Sequence, residues 1–388
     1  MEQRPSRRRF LRHTTGLVGL AAFPQALSAL VLDQGPARHT TTDWRLTASF
    51  GFDTLCFLNT LTGDPFYTAY YKDDFARFAP QVTPDARRSL DRLKKRIKDD
   101  GKGIISAFLC STFSVIPVET LDDLIEGVNQ PDRIRTLFEP TPYYSKGGWQ
   151  QFLAVRSDLR TIFGFLKTIQ FESYWRSAIL PRIENRIRVV EPELAGYNVV
   201  AADEAVLGAT LPSNQVTVYV LFYNNPHGIR LTGTRFVSGS NWPITVVVNN
   251  AAHELLHPPY DLARDREVRE AIEPLRGDAF LMHHVTTHNP SFGYNSLESL
   301  VEEDCVRALD QLVMEALNIA RDPRARWKEE DEGMHVFAVA LYSLFKQERY
   351  TGAPEPFRDF LVRMIRSGTL AAGRIEPLHA EFYRGRAG

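Results

Sequence analysis

Residues 244–259 run ITVVVNNAAHELLHPP. Ile244–Val248 is β-branched throughout, the composition of a short buried strand. Asn249 and Asn250 are good N-cap residues, so a helix is expected from near Ala251. Pro258 and Pro259 stop it directly after His257. Within that helix His253 and His257 stand four apart, and such residues project from one face. Two imidazole nitrogens on one face can hold a single divalent ion. Glu254 lies about 100° further round, beside the water on an open coordination position rather than on the ion. A carboxylate there suits a general base, close enough to take a proton and not consumed as a ligand. Chance alone produces such a His-Glu-x-x-His pattern in roughly one or two chains per hundred. The strand–turn–helix context is what lifts it above coincidence.

Working outward, Val216–Tyr223 (VTVYVLFY) and Ile229–Val237 (IRLTGTRFV) are rich in β-branched and aromatic residues. Asn224–Gly228 (NNPHG) separates them, which predicts a hairpin. Further upstream, residues 40–139 are mostly helical in pattern. Pro84–Asp100 (PDARRSLDRLKKRIKDD) places Leu90, Leu93 and Ile97 at helical spacing, and Gly101 and Gly103 end it. Asp91, Asp99 and Asp100 interrupt its basic run, which marks a solvated helix face rather than a nucleic-acid patch. Pro140-Thr141-Pro142 and Lys146-Gly147-Gly148 form the clearest loop and a boundary. Long helical runs follow from Trp149 to Trp175 and from Pro181. Downstream, Leu297–Ala320, Met334–Phe345 and Phe357–Ile365 keep apolar helical spacing. There is no internal repeat. The expected fold class is α+β, mostly helical with a small mixed β-sheet and the histidine helix beside it.

The segment Val246–His257 (VVVNNAAHELLH) resembles the active-site strand and helix of the zincin metallopeptidases. Their metzincin branch continues as HExxHxxGxxH, which requires Gly at 260 and His at 263. Tyr260 and Ala263 stand there, so that branch is excluded. What remains is similarity to the gluzincins, the thermolysin-like and aminopeptidase-like enzymes, over roughly residues 216–316. The resemblance implies a zinc ion held by His253, His257 and a glutamate from a later helix. It also implies hydrolysis of a peptide or protein substrate, with Glu254 as base.

The helix at 297–316 (LESLVEEDCVRALDQLVMEA) offers three glutamates. In gluzincins the ligand is commonly the second residue of an Asn-Glu or Glu-Glu pair, which selects Glu303. Helical phase disagrees, because the stripe Val301, Cys305, Ala308 and Leu312 draws Glu298 and Glu302 towards the buried side. The third ligand stays open between Glu303, Glu302 and Glu298. Family members often carry an acid four residues after the ligand; Arg307 stands there instead. Tyr294, nine residues before Glu303, has the spacing of the tyrosine that stabilises the oxyanion in thermolysin-like enzymes. His283, His284 and His288 are other donors for that role, each more simply an ordinary loop or core histidine.

Gly-x-Ser-x-Gly is absent, and no phosphate-binding glycine loop follows a strand. Two rival functions use the same residues. One is a zinc hydrolase of non-peptide amides or esters; the other is a non-catalytic exported binding protein that retains the fold. An intact Glu254 speaks against the second.

Ser6–Arg12 (SRRRFLR) resembles the twin-arginine export signal. The apolar stretch Leu17–Leu30 follows, interrupted by Pro24 and short of the about 20 residues that span a bilayer. Ala26-Leu27-Ser28 offers small residues for cleavage after Ser28. The expected organisation is a signal peptide at 1–28, an N-terminal helical region at 29–145 and a zincin-like catalytic domain at 146–388. The protein is then expected in the periplasm or secreted, after passage through the twin-arginine machinery. The 388 residues are 44% hydrophobic and 24% charged, which fits a globular protein without stable membrane insertion. The net charge of -1 gives no electrostatic case for nucleic acid. Cys56, Cys110 and Cys305 fit no metal-binding spacing. A Cys56–Cys110 disulfide and three buried thiols are both compatible with them.

Overall fold

A computed structural model describes residues 39–384 apart from residues 102 and 263, so the twin-arginine stretch and its cleavage site lie outside the described residues. The fold is α+β: mostly helical, with one four-stranded mixed sheet. The described chain forms two units, each assembled from separated segments.

One unit comprises His39–Val200 and Leu211–Pro258. Its strands are β1 (Asp43–Thr47), β2 (Gln215–Leu221), β3 (Ile229–Arg230) and β4 (Arg235–Gly239), in the order β1-β2-β4-β3. β1 and β4 flank β2 in parallel, while β3 runs antiparallel to β4. In β2, Val216 and Val218 point inward while Thr217 and Tyr219 are partly exposed, the two-residue alternation of a half-covered sheet. Helix α1 (Phe50–Leu61) is buried at every position and is capped by Ser49, whose side chain accepts from Phe52 N. Helix α2 (Pro84–Lys94) starts with Thr83 as cap and Pro84 in its first turn. α3 (Ile105–Phe113) packs on α1, and α2 packs on α4 (Lys146–Thr168). The expected loop at Lys146-Gly147-Gly148 is instead the first turn of α4, where the Ser145 side chain accepts from Gly148 N. An N-cap satisfies an orphan amide and tolerates glycines behind it.

The decisive helix, α5, spans Ile244–Leu256. The strand expected at Ile244–Val248 is therefore its first turns. Val246 N and Val247 N both reach the Pro243 carbonyl, at 3.0 and 3.1 Å, which starts the helix. The buried positions Val247, Val248, Ala251, Ala252, Leu255 and Leu256 repeat every four residues, so one apolar stripe runs unbroken through the β-branched segment. Placing a valine in a helix costs about 0.5 kcal/mol relative to the best formers. Burying its side chain returns about 1.5–3 kcal/mol, so packing overrides propensity.

The expected hairpin between Val216–Tyr223 and Ile229–Val237 is also corrected. The turn sits later, at 231–235, where Leu231 N reaches Arg235 O at 2.9 Å and Gly233 takes φ 73°. Only glycine enters that region without strain. β3 is thus two residues long, and β4 pairs with β2 in parallel rather than antiparallel.

The other unit comprises Ala201–Thr210 and Pro259 onward. It contains α6 (Ala279–Thr287), α7 (Leu297–Ala316), α8 (Val336–Glu348), α9 (Phe357–Arg366) and α10 (Ile375–Arg384). α7 opens with a capping box between Ser296 and Ser299 and ends where Asn318 takes φ 58°. α8 packs on both α7 and α10 and is buried from Val336 to Phe345.

All three cysteines are buried free thiols, with Cys56 Sγ and Cys110 Sγ 3.9 Å apart. Among the described residues no helix is long and apolar enough to cross a membrane.

Candidate metal centre

His253 lies in the last turn of α5, and His257 is the residue that caps it, with extended backbone at φ -84° and ψ 135°. The helix therefore ends one residue before the second histidine, not after it. The two rings still converge: His253 Nε2 and His257 Nε2 are 3.3 Å apart, with ring planes inclined at 74°. Two nitrogens each 2.0–2.1 Å from a tetrahedral zinc ion would be roughly 3.3–3.4 Å apart. The observed spacing fits that value, and it equally fits a hydrogen bond from one ring nitrogen to the other.

Glu254 is 7% exposed on the adjoining face of α5. The loop Asn224–Gly228, expected to be only a hairpin turn, runs against it. A methyl group at Gly228 would come within 1.8 Å of Asn250 Oδ1 and 2.9 Å of Glu254 Oε1. The loop is pinned on several sides. Asn224 Nδ2 donates to His227 O, Tyr71 Oη accepts from Asn225 N, and Trp242 Nε1 donates to Asn225 Oδ1. His227 Nε2 lies 2.9 Å from Tyr67 Oη. Asn250 Nδ2 donates to Val237 O, which ties α5 to β4. Nothing in the local sequence pattern marks these contacts, because they join segments up to 160 residues apart.

On α7 the three glutamates differ sharply in environment. Glu298 is part-exposed and paired with Arg276, and Glu302 is part-exposed. Glu303 is 2% exposed. Helical phase misplaces them because α7 is buried on nearly all sides, Leu300, Asp304, Arg307 and Asp310 included.

Behind Glu303 lies a buried polar ring that sequence reading missed. Arg307, one helical turn on, forms an ion pair with Glu303, Nε to Oε1 at 2.8 Å. Its other two nitrogens reach Glu330 Oε2 at 2.7 Å and Asp331 Oδ2 at 3.0 Å. His335 Nε2 lies 3.0 Å from the same Asp331 oxygen, and His335 Nδ1 lies 2.6 Å from Asp304 Oδ1. Asp304 is the residue after Glu303, so the circuit closes through the backbone of α7. Burial pulls the Arg307 guanidinium down, but Glu303, Asp331 and Glu330 outweigh it and hold it well above its ordinary pKa. Burial raises the Glu330 carboxyl, yet Arg326 and Arg307 leave it below the usual range.

Tyr294 takes a left-handed conformation, φ 59°, and its ring centroid lies 6.1 Å from that of His335. His288 staples the preceding loop, with Nδ1 at 2.7 Å from His284 O and Nε2 at 2.7 Å from Gly293 O. His283 Nε2 lies 3.5 Å from Thr287 Oγ1 on its own helix. Burial, and then the neighbouring His283, hold His284 below the ordinary histidine pKa. Each of these three histidines thus has a structural partner.

Set beside models of known families, curated proteins and solved structures, the chain matches none of them.

Proposed function

We propose that this chain is a zinc-dependent hydrolase of peptide bonds, a zincin-like metallopeptidase of the gluzincin type. His253, His257 and Glu303 hold the ion, and Glu254 is the general base. The observation that carries this reading is the 3.3 Å approach of His253 Nε2 to His257 Nε2 next to a buried glutamate that is not one of the pair. Two histidines with one carboxylate are the donor set of hydrolytic rather than structural zinc, which leaves a coordination position open. A bound zinc ion supplies Lewis-acid activation of water and of the scissile carbonyl. Glu254 takes the proton released in the attack and delivers it to the leaving amine. Its near-complete burial between α5 and the Gly228 loop restricts the rotamers available for that transfer. Tyr294 is proposed as a donor to the developing oxyanion.

The twin-arginine-like segment Ser6–Arg12 supports export, which places the enzyme in the periplasm or outside the cell. That route carries proteins already folded, which suits an enzyme that acquires its ion before export.

The test is metal analysis of the wild type beside His253→Ala, Glu303→Ala, Glu302→Ala and Glu298→Ala, with peptide hydrolysis assayed in parallel. One equivalent of zinc is expected in the wild type and in the Glu302 and Glu298 variants, with loss from the other two. Wild-type protein that takes up no divalent ion overturns the proposal. Bound zinc with turnover only of non-peptide amides or esters replaces peptide by another substrate.

A further inference from the structure

We propose that Arg307 is the positioning residue of Glu303: it fixes the carboxylate in the orientation in which it ligates the ion, and the Asp331–His335–Asp304 circuit fixes Arg307. The inference rests on the reading of Glu303 as a ligand and adds to it how that ligand is held. Three observations carry it.

The first is geometric. Residues four apart share a helix face, so Arg307 stands behind Glu303 on α7, and its Nε lies 2.8 Å from Oε1. The contact is an ion pair without hydrogen-bond alignment. All three nitrogens of the planar fork are committed, one to each of Glu303, Glu330 and Asp331. A guanidinium with three fixed partners has no freedom to swing, so neither has the carboxylate leaning on it.

The second is backbone strain in the segment that presents those partners. Asp331 takes φ 43° and Glu332 φ 60° within the turn Glu330–Gly333. Non-glycine residues in that region cost on the order of 1 kcal/mol or more each and persist only where the surroundings over-determine them. Here the strained turn is what aims Glu330 and Asp331 at one arginine.

The third is closure. Asp331 is held by His335, and His335 by Asp304, whose backbone continues directly from Glu303. Asp304 also accepts from Phe337 N and Ala338 N, which locks the circuit to the start of α8. A lone surface ion pair would need none of this and would fix little. Arg307, Asp331, His335 and Asp304 are all buried.

The experiment measures metal affinity by chelator competition with Zn2+, and the visible spectrum after loading with Co2+, in full-length wild type, Arg307→Lys and Asp331→Asn. Lysine keeps the charge but cannot span three carboxylates. Asp331→Asn keeps the arginine but loosens its brace. Both readouts report on ligand geometry, which a purely structural role leaves unchanged in any variant that folds. Expected is a 10- to 100-fold weaker Zn2+ affinity in Arg307→Lys, the range typical of residues that orient ligands. A smaller loss is expected in Asp331→Asn, with the Co2+ bands shifted in both. Wild-type affinity and unshifted bands in Arg307→Lys overturn the inference while leaving the metal site standing. If that variant fails to fold, the same result in Asp331→Asn overturns it. A wild type that binds neither ion removes the metal reading itself, and the positioning role with it.

Discussion

Asp304 Oδ1 and His335 Nδ1 are 2.6 Å apart with both side chains fully buried, and the second Asp304 oxygen accepts from Phe337 N at 3.0 Å and Ala338 N at 3.1 Å. One carboxylate on α7 therefore satisfies amides in the first turn of α8, where a helix leaves its N–H groups unpaired and carries partial positive charge. Burial and Arg307 push the His335 imidazole down, but Asp304 and Asp331 hold it above the ordinary histidine pKa. Removing one member of a buried charged pair strands the other. Asp304→Ala is expected to lower the unfolding free energy by about 3–5 kcal/mol. Urea unfolding of metal-free protein measures this. A loss below about 1 kcal/mol would mean that water or another side chain replaces the carboxylate.

Gly228→Ala tests the loop that lies against the base. The added methyl meets Asn250 Oδ1 at 1.8 Å and Glu254 Oε1 at 2.9 Å, and Asn250 is held in turn by its bond to Val237 O. Something must shift, and overpacking of this kind costs about 1–3 kcal/mol. Because the displaced groups include Glu254, hydrolytic activity is expected to fall at least tenfold, beyond what the stability change explains. Thermal unfolding and peptide hydrolysis measured together check this. Full activity at reduced stability would show that the loop buttresses the fold and not the base.

How much of this was visible in the sequence depends on how local each feature is. The His253–Glu254–His257 spacing is readable because four residues make one helical turn. The segment Ile244–Val248, β-branched in composition, is helical because the four-residue repeat of Val247, Ala251 and Leu255 buries one continuous face. The parallel pairing of β2 with β4 is hidden because the turn at Gly233 falls inside what looks like one strand. Arg307 stood out only as a departure from an expected acid. Its partners Glu330 and Asp331 lie 23 and 24 residues on, in a turn whose left-handed backbone no local pattern announces. The fold class needed only periodicities. The surroundings of Glu303 needed tertiary contacts.

Asp53 sets a pH dependence on stability. Burial raises its carboxyl from the ordinary 3.8 to about 7, against the opposing bonds from Trp175 Nε1, Tyr223 N and Phe222 N. Between those two values the folded carboxyl keeps a proton that the unfolded chain has released. The folded state then binds more protons, so stability falls as pH rises. The contribution is fully present below about pH 4 and is lost as pH climbs through about 7, at up to about 1.4 kcal/mol per pH unit. Asp53→Asn cannot ionise and resembles the protonated acid. The two proteins are expected to match in urea unfolding near pH 4, with wild type falling progressively behind by pH 8. Parallel curves across that range would show that Asp53 is ionised throughout and that its three donors outweigh its burial.

Glu254→Gln separates binding of the ion from use of it. Glutamine is nearly isosteric, so the 7% exposed site beside Gly228 accommodates it without the clash that a larger residue would bring. It cannot accept a proton at neutral pH. With His253 and His257 untouched, zinc content and affinity are expected to stay within about twofold of wild type. General-base assistance is worth about 10²–10⁴ in rate, so kcat on a peptide substrate is expected to fall by that factor with little change in KM. Chelation should abolish wild-type activity, with recovery on adding Zn2+ back, while the variant stays inactive under both treatments. A variant that loses its zinc would make Glu254 a ligand and move the base elsewhere. A variant that keeps both zinc and full turnover would leave the helix face beyond His253 without a chemical role, since no other carboxylate on α5 is available to take the proton.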